Sequence, residues 1–292
     1  MIFGKILPFL RSGKNENNIL LTGIPRSGTT LACRLLCNYA ETVALNEPMD
    51  KNQFENPKAA EENISEHFRK FRKSLLKNGT AVARTEDGKL TDNAYSQGHA
   101  QRERVIERSP VHFDKALGHD FTLIMKHCAE FTLLLPELSK QIPIYAMIRN
   151  PLAILASWAS VDVPVSRGKV AKSAQLNPDF NAALNKQGED LLRRQLFILS
   201  WYFGQYNDFN QDRIIRYEDM IDAPDLTLNS LGKGKLLEPF QNLKNKNSSE
   251  LYDKTHVIKA GNELLNSEGN YWRYYLREDV SQVLEKIKGN GQ

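Results

Sequence analysis

The stretch from Ile19 to Thr30, Ile-Leu-Leu-Thr-Gly-Ile-Pro-Arg-Ser-Gly-Thr-Thr, constrains this chain more than any other. Ile19–Leu21 is an apolar run of the kind that forms a short buried strand. It ends at Gly23, turns through Pro25 and Gly28, and gives way to a helical pattern from Thr30, where Leu31, Leu35 and Leu36 recur and Tyr39 closes the face. A strand, a glycine-bracketed turn and a helix start bring successive backbone N–H groups to one point, and the helix dipole adds partial positive charge there. The unit is an anion site. Val43–Leu45, Phe121–Met125, Ile142–Ile148 and Arg213–Tyr217 read as further short strands separated by helical patterns. That alternation predicts an α/β fold with a central parallel sheet flanked by helices.

Gly23 and Gly28 have the spacing of the nucleotide-hydrolase phosphate loop, G-x-x-x-x-G-K-[ST]. Thr29 stands at its lysine position, however, and the cation sits inside the loop, at Arg26. This Pro-Arg-Ser-Gly-Thr-Thr form resembles the 5′-phosphosulfate loop of PAPS-dependent sulfotransferases, as found in tyrosylprotein, carbohydrate and many bacterial members. The resemblance runs through most of Ile19 to Leu276 as spaced motifs in order. It implies a single P-loop α/β domain over 18–288, behind an extension at 1–17, with variable inserts of helix and loop at about 51–118 and 163–190. It also implies 3′-phosphoadenosine 5′-phosphosulfate as co-substrate, with Pro25, Arg26, Ser27, Gly28, Thr29 and Thr30 around its 5′ end. No metal is expected. The acceptor is a hydroxyl compound, with glycan, lipid, peptide and small metabolite all open.

The remaining site residues follow from strand ends and from the resemblance together. Glu47 lies 21 positions beyond Arg26, after the second strand, where open α/β sheets place ligand-binding residues. The resemblance makes it the base that takes the acceptor's proton, a role suited to a carboxylate; the alternative is a turn residue before Pro48. Lys126 ends the third strand, and by resemblance it stabilises the transferring group. His127 competes with Glu47 as base, because small-molecule sulfotransferases use a histidine near this strand. The loop's arginine favours Glu47 and leaves His127 a structural role. Arg149 follows the fourth strand, and Ser157 lies eight residues further on, as in the family's 3′-phosphate site. An arginine fork and a hydroxyl suit a phosphate monoester. Arg216 and Tyr217 mark the nucleotide side by resemblance. Gly269–Arg273 resembles the segment that closes over the cofactor, with Lys259 and Arg273 as candidate contacts.

Between these landmarks, Ile64, Phe68, Phe71 and Leu75 form one helical face within 51–79, whereas 79–98 has the composition of a loop. Arg102, Arg104 and Arg108, near His99 and His112, read either as a charged helix face or as an electropositive acceptor channel. The polar stretch 163–188 reads as a lid, an acceptor insert or a surface excursion. A helix is expected to start within 226–237.

Composition limits the alternatives. With 41% hydrophobic residues the chain can fill a core, and a net charge of +4 suits a polyanionic ligand but falls short of a nucleic-acid binder. Three cysteines make no disulfide framework, which points to a reducing compartment, the cytoplasm. Met1–Leu10 is too short to span a bilayer; contact with a membrane surface and packing on the domain both stay open. A P-loop kinase or hydrolase lacks its loop lysine and strand-end metal aspartate here. A degenerate nucleotide-binding module would keep the loop without the chemistry.

Overall fold

The first strand is the middle of the sheet. The structure, a computed structural model, describes residues 17–96, 98 and 102–289; most of the expected N-terminal extension and His99 lie outside these. β1 (Asn18–Gly23), β2 (Thr42–Asn46), β5 (Thr122–Lys126), β6 (Ile144–Ile148) and β7 (Ile214–Arg216) form one sheet in the order β2-β5-β1-β6-β7, every pair parallel. Ile19 pairs with Ile124 and Leu21 with Tyr145, so β1 is hydrogen-bonded on both sides. β2 and β5 are buried along their whole length, as parallel strands covered on both faces are.

Helices cover the two faces. Thr29–Leu36 packs Ala32, Cys33, Leu35 and Leu36 onto one face with Met147, Ile215 and Met220. On the other face, Pro57–Asn78 buries Ile64, Phe68, Phe71 and Leu75, the face read from the sequence. Its ends are set locally: Asn56 caps the start by accepting from Ala59 N–H, and Gly79, at φ 65°, ends it in the left-handed region. Pro151–Ala159, Leu191–Gln205, Lys254–Leu265 and Arg277–Gly289 complete that layer.

Two expectations are corrected. The stretch read as a loop, 79–98, contains β3 (Thr80–Thr85), which pairs antiparallel with β4 (Glu107–His112) in a separate two-stranded sheet. Ala81, Ala83 and Thr85 alternate inward, and their small size hid the period. Arg102, Arg104 and Arg108 consequently lie on no helix. The stretch 163–188 is not one of them: it combines Pro164–Arg167, Ser173–Leu176 and Pro178–Asn185 with loops, and it buries Val165, Val170, Leu176, Phe180 and Leu184. Within 226–237 there is only the end of a short helix, Pro224–Leu228.

Candidate active site

Every strand of the main sheet ends, at its carboxyl side, on one cavity of about 640 Å³. It is lined by Pro25–Leu31 without Ser27 after β1, Glu47 after β2, Lys126 and Cys128 at β5, Arg149 after β6 and Tyr217 after β7. This is the crevice where open α/β sheets bind ligands.

The β1 turn forms its floor. Gly28 caps the helix at φ 94° with no side-chain cap, so the first helical N–H groups have no intrahelical acceptor. A Cβ at Gly28 would stand 2.7 Å from Tyr217 Cδ2, which reserves the position for glycine. The loop is pinned from behind: Trp158 Nε1 donates to the Pro25 carbonyl at 2.8 Å, and Arg149 donates to the Arg26 carbonyl at 3.2 Å. The Ser27 hydroxyl is buried and has no hydrogen-bond partner, though Ser27 is not among the cavity-lining residues.

Three arginines crowd one end. Arg26 donates to Ser157 Oγ at 3.1 Å and Asn93 Oδ1 at 3.3 Å, and its guanidinium lies over Tyr95. Arg149 donates to Asn247 Oδ1 at 2.7 Å and the Tyr252 hydroxyl at 3.4 Å, with its guanidinium over Tyr217. Arg102 donates to the Ser96 and Tyr95 carbonyls. Every one of these acceptors is neutral. Burial, with Arg102 and Arg149 nearby, lowers the Arg26 pKa to about 10. For Arg149 burial acts downward too, but the Tyr252 and Tyr217 phenols and Glu218 outweigh it and raise the value.

At the other end the cations are paired with carboxylates. Glu47 Oε1 meets Lys126 Nζ at 3.3 Å, while Oε2 meets Arg84 Nε at 2.8 Å and Arg104 at 3.2 Å. Arg108 pairs with Asp50 at 2.5 Å. Burial pushes the Glu47 carboxyl up, but Lys126, His127, Arg104 and Arg84 together hold it well below the usual carboxylate range. Burial works against the Lys126 charge, and Cys128, Glu47 and Cys33 overcome it, so the ammonium is held well above its ordinary value. Arg26 and Glu47 both adopt positive φ, 75° and 44°. Such strain in non-glycine residues gathers at functional sites.

The structure thus gathers Arg26, Gly28, Thr29, Thr30, Glu47, Lys126, Arg149, Ser157 and Tyr217 on one cavity. His127 is elsewhere. Its Nε2 accepts from Met49 N–H at 3.3 Å, its Nδ1 stands 3.7 Å from Glu130, and its ring lies between Phe54 and Phe131. It does not line the cavity. Arg216 is laid over Tyr275, and neither Lys259 nor the Gly269–Arg273 segment reaches the cavity. In place of that segment the rim is built by residues between 241 and 252, including Asn242, Lys244, Lys246 and Tyr252. Tyr95, Asn93 and Tyr252 carried no signal in the sequence, since their roles come from partners far along the chain. Among the described residues no group of three or more His, Cys, Asp or Glu is placed to hold a metal, and no helix is long and apolar enough to cross a membrane.

No protein-family model matches the chain. No curated protein matches it either. Among solved structures it is similar to a sulfotransferase from Alicyclobacillus acidocaldarius, at 14% identity and TM-score 0.35, over 88% of this chain and 98% of that one. It is similar also to the sulfotransferase domain of a Synechococcus olefin synthase, at 15% identity and TM-score 0.34, over 94% of this chain and 95% of that one. A sulfotransferase from Mycobacterium tuberculosis follows at 15% identity and TM-score 0.32, over 93% of this chain and 76% of that one.

Proposed function

We propose that the protein is a sulfotransferase that moves a sulfuryl group from 3′-phosphoadenosine 5′-phosphosulfate to an acceptor hydroxyl. The observation that carries this reading is the trio Arg26, Arg102 and Arg149: three guanidiniums at one end of a cavity, facing neutral partners, beside an uncapped helix start. Charges taken out of water with no carboxylate in direct contact are costly, so this end is built for a polyanion. A donor with phosphate at both the 3′ and 5′ positions supplies that charge at two points. Arg149 and Ser157 take the 3′-phosphate; the loop amides, Thr29, Thr30 and Arg26 take the phosphosulfate, with the buried Ser27 behind the loop.

The chemistry then falls to Glu47 and Lys126. As the acceptor oxygen bonds to sulfur, the bond from sulfur to the bridging phosphate oxygen breaks and the acceptor's proton passes to Glu47. Arg26 and Lys126 neutralise the charge that builds on the leaving phosphate, and positioning with electrostatics supplies most of the rate. A carboxylate held by three cations is a weak base. Drawing Lys126 towards the incoming anion raises its basicity when the donor is bound.

The test is calorimetry of 3′-phosphoadenosine 5′-phosphate against 5′-AMP and ATP, with Arg149→Ala alongside. Binding in the micromolar range (about −8 kcal/mol) that requires the 3′-phosphate and collapses in the variant is the expected result. Preference for magnesium–ATP, indifferent to Arg149, overturns the reading.

A further inference from the structure

Beyond the charged residues, the same cavity has an apolar chamber. Ile106, Ala129, Val163, Val165 and Val170 line it, and Tyr202 lines it with them. The chamber adjoins the reacting end through the chain itself. Ile106 lies two residues beyond Arg104, a Glu47 partner, and Ala129 lies three beyond Lys126, the other side of that pair. Val165 arrives from the short helix Pro164–Arg167 and Val163 from the extended residue before it, so three separate segments converge to make the walls.

One polar atom in this chamber lacks a partner. Tyr202 has no exposed surface, and its hydroxyl makes no hydrogen bond. Its neighbours are otherwise engaged: Tyr206 bonds Thr132, Cys128 meets Thr29, and Glu130 faces His127. A buried hydroxyl without a partner costs free energy that a ligand group can recover. The walls, conversely, strip water from any hydroxyl placed against them and return no hydrogen bond, which penalises a sugar at every position but the reacting one.

Building on the sulfotransferase reading, we propose that the acceptor is a largely apolar alcohol or phenol. Its reacting hydroxyl sits at Glu47, its apolar body fills the chamber of Ile106, Ala129, Val163, Val165 and Val170, and a second polar group on it meets the Tyr202 hydroxyl. At about 640 Å³ the cavity has the size of small-molecule sites, and it must hold the donor and the reacting part of the acceptor together.

The test is equilibrium binding to the full chain, with and without 3′-phosphoadenosine 5′-phosphate. The probes are 2-naphthol, 2,6-dihydroxynaphthalene, N-acetylglucosamine and an acidic peptide with one tyrosine. The naphthols are expected to bind at least about tenfold more tightly than the sugar and the peptide. The diol gains roughly threefold to tenfold over 2-naphthol, one hydrogen bond's worth, and Tyr202→Phe removes that gain without changing 2-naphthol or nucleotide binding. Val165→Phe, which fills the chamber, weakens both naphthols while nucleotide binding stays within about twofold. Equal or tighter binding of sugar or peptide overturns the proposal, as does failure of both naphthols in a protein that binds the nucleotide. A gain for the diol that survives in Tyr202→Phe overturns the assigned hydroxyl contact. Failure to bind the nucleotide counts against the sulfotransferase reading alone; the naphthol series without nucleotide then decides the acceptor class.

Discussion

Arg26 and Glu47 share a left-handed backbone, and both are held by partners rather than by local preference. On the proposed reading Arg26 neutralises the leaving phosphate, so truncating it to alanine is expected to lower kcat by ~10²–10³ with acceptor KM little changed, as for loss of one oxyanion donor. Turnover assays with a naphthol acceptor check this. Glu47 gives a pH signature as well. Its carboxyl lies below the ordinary 4.5, so the stability it contributes is complete above that value and is lost as pH falls through the lower folded value. Glu47→Gln should therefore flatten the acid limb of the stability profile. At neutral pH it should cost about 3 kcal/mol, because Lys126 is then left buried without its carboxylate. For the same reason the acid limb of kcat/KM in the unaltered protein should stay flat from neutral pH down to the ordinary carboxylate range. At this scale the sequence was informative wherever a charged side chain followed a strand end: Arg26, Glu47, Lys126 and Arg149 all reach the cavity. The sequence ranked Glu47 over His127 only through the loop's arginine; the packing of His127 between Phe54 and Phe131 was not legible, because it depends on tertiary contacts.

Among the elements, the turn between the first helix and β2 is fastened from a distance. Lys115, in the segment joining β4 to β5, donates to the carbonyls of Cys37, Tyr39 and Thr42 at 2.5, 2.7 and 2.6 Å. A single ammonium here ties together the helix end at Cys37, the turn at Tyr39 and the start of β2 at Thr42. Lys115→Met should destabilise the chain by about 2–4 kcal/mol, read from the denaturant midpoint, since the Cys37 and Thr42 carbonyls lose this donor and Tyr39 keeps only the Thr42 N–H. Lys115 left no trace in the sequence pattern, and neither did β3. Both depend on partners remote in the chain: Thr80–Thr85 finds Glu107–His112 across a long connection, and its alanines give little β signal. The parallel strands were readable because burial on both faces makes each a continuous apolar run. The rim at 241–252 is the opposite case. It has no regular periodicity, and Asn247 and Tyr252 matter only because Arg149 reaches them.

Across the whole molecule, stability and anion binding compete. The free protein holds Arg26, Arg102 and Arg149 close together at the carboxyl ends of the sheet, with hydroxyls, amides and carbonyls as their partners. The lowered Arg26 pKa has a definite sign: burial and the neighbouring guanidiniums disfavour the charged form, so at neutral pH that charge opposes folding. Arg26→Met keeps an unbranched side chain on the same backbone and removes the charge. Its melting temperature without ligand is expected to rise above that of the unaltered protein. With 3′-phosphoadenosine 5′-phosphate at a hundredfold over Kd, the unaltered protein should gain about 2.7 kcal/mol, a shift of several degrees, because the ligand binds only the folded chain. The variant's shift should be smaller at the same nucleotide concentration, so its advantage shrinks or reverses as nucleotide is added. A variant less stable than the parent without ligand would show that Ser157, Asn93 and Tyr95 already compensate the Arg26 charge, and that this end of the cavity is not strained towards an anion.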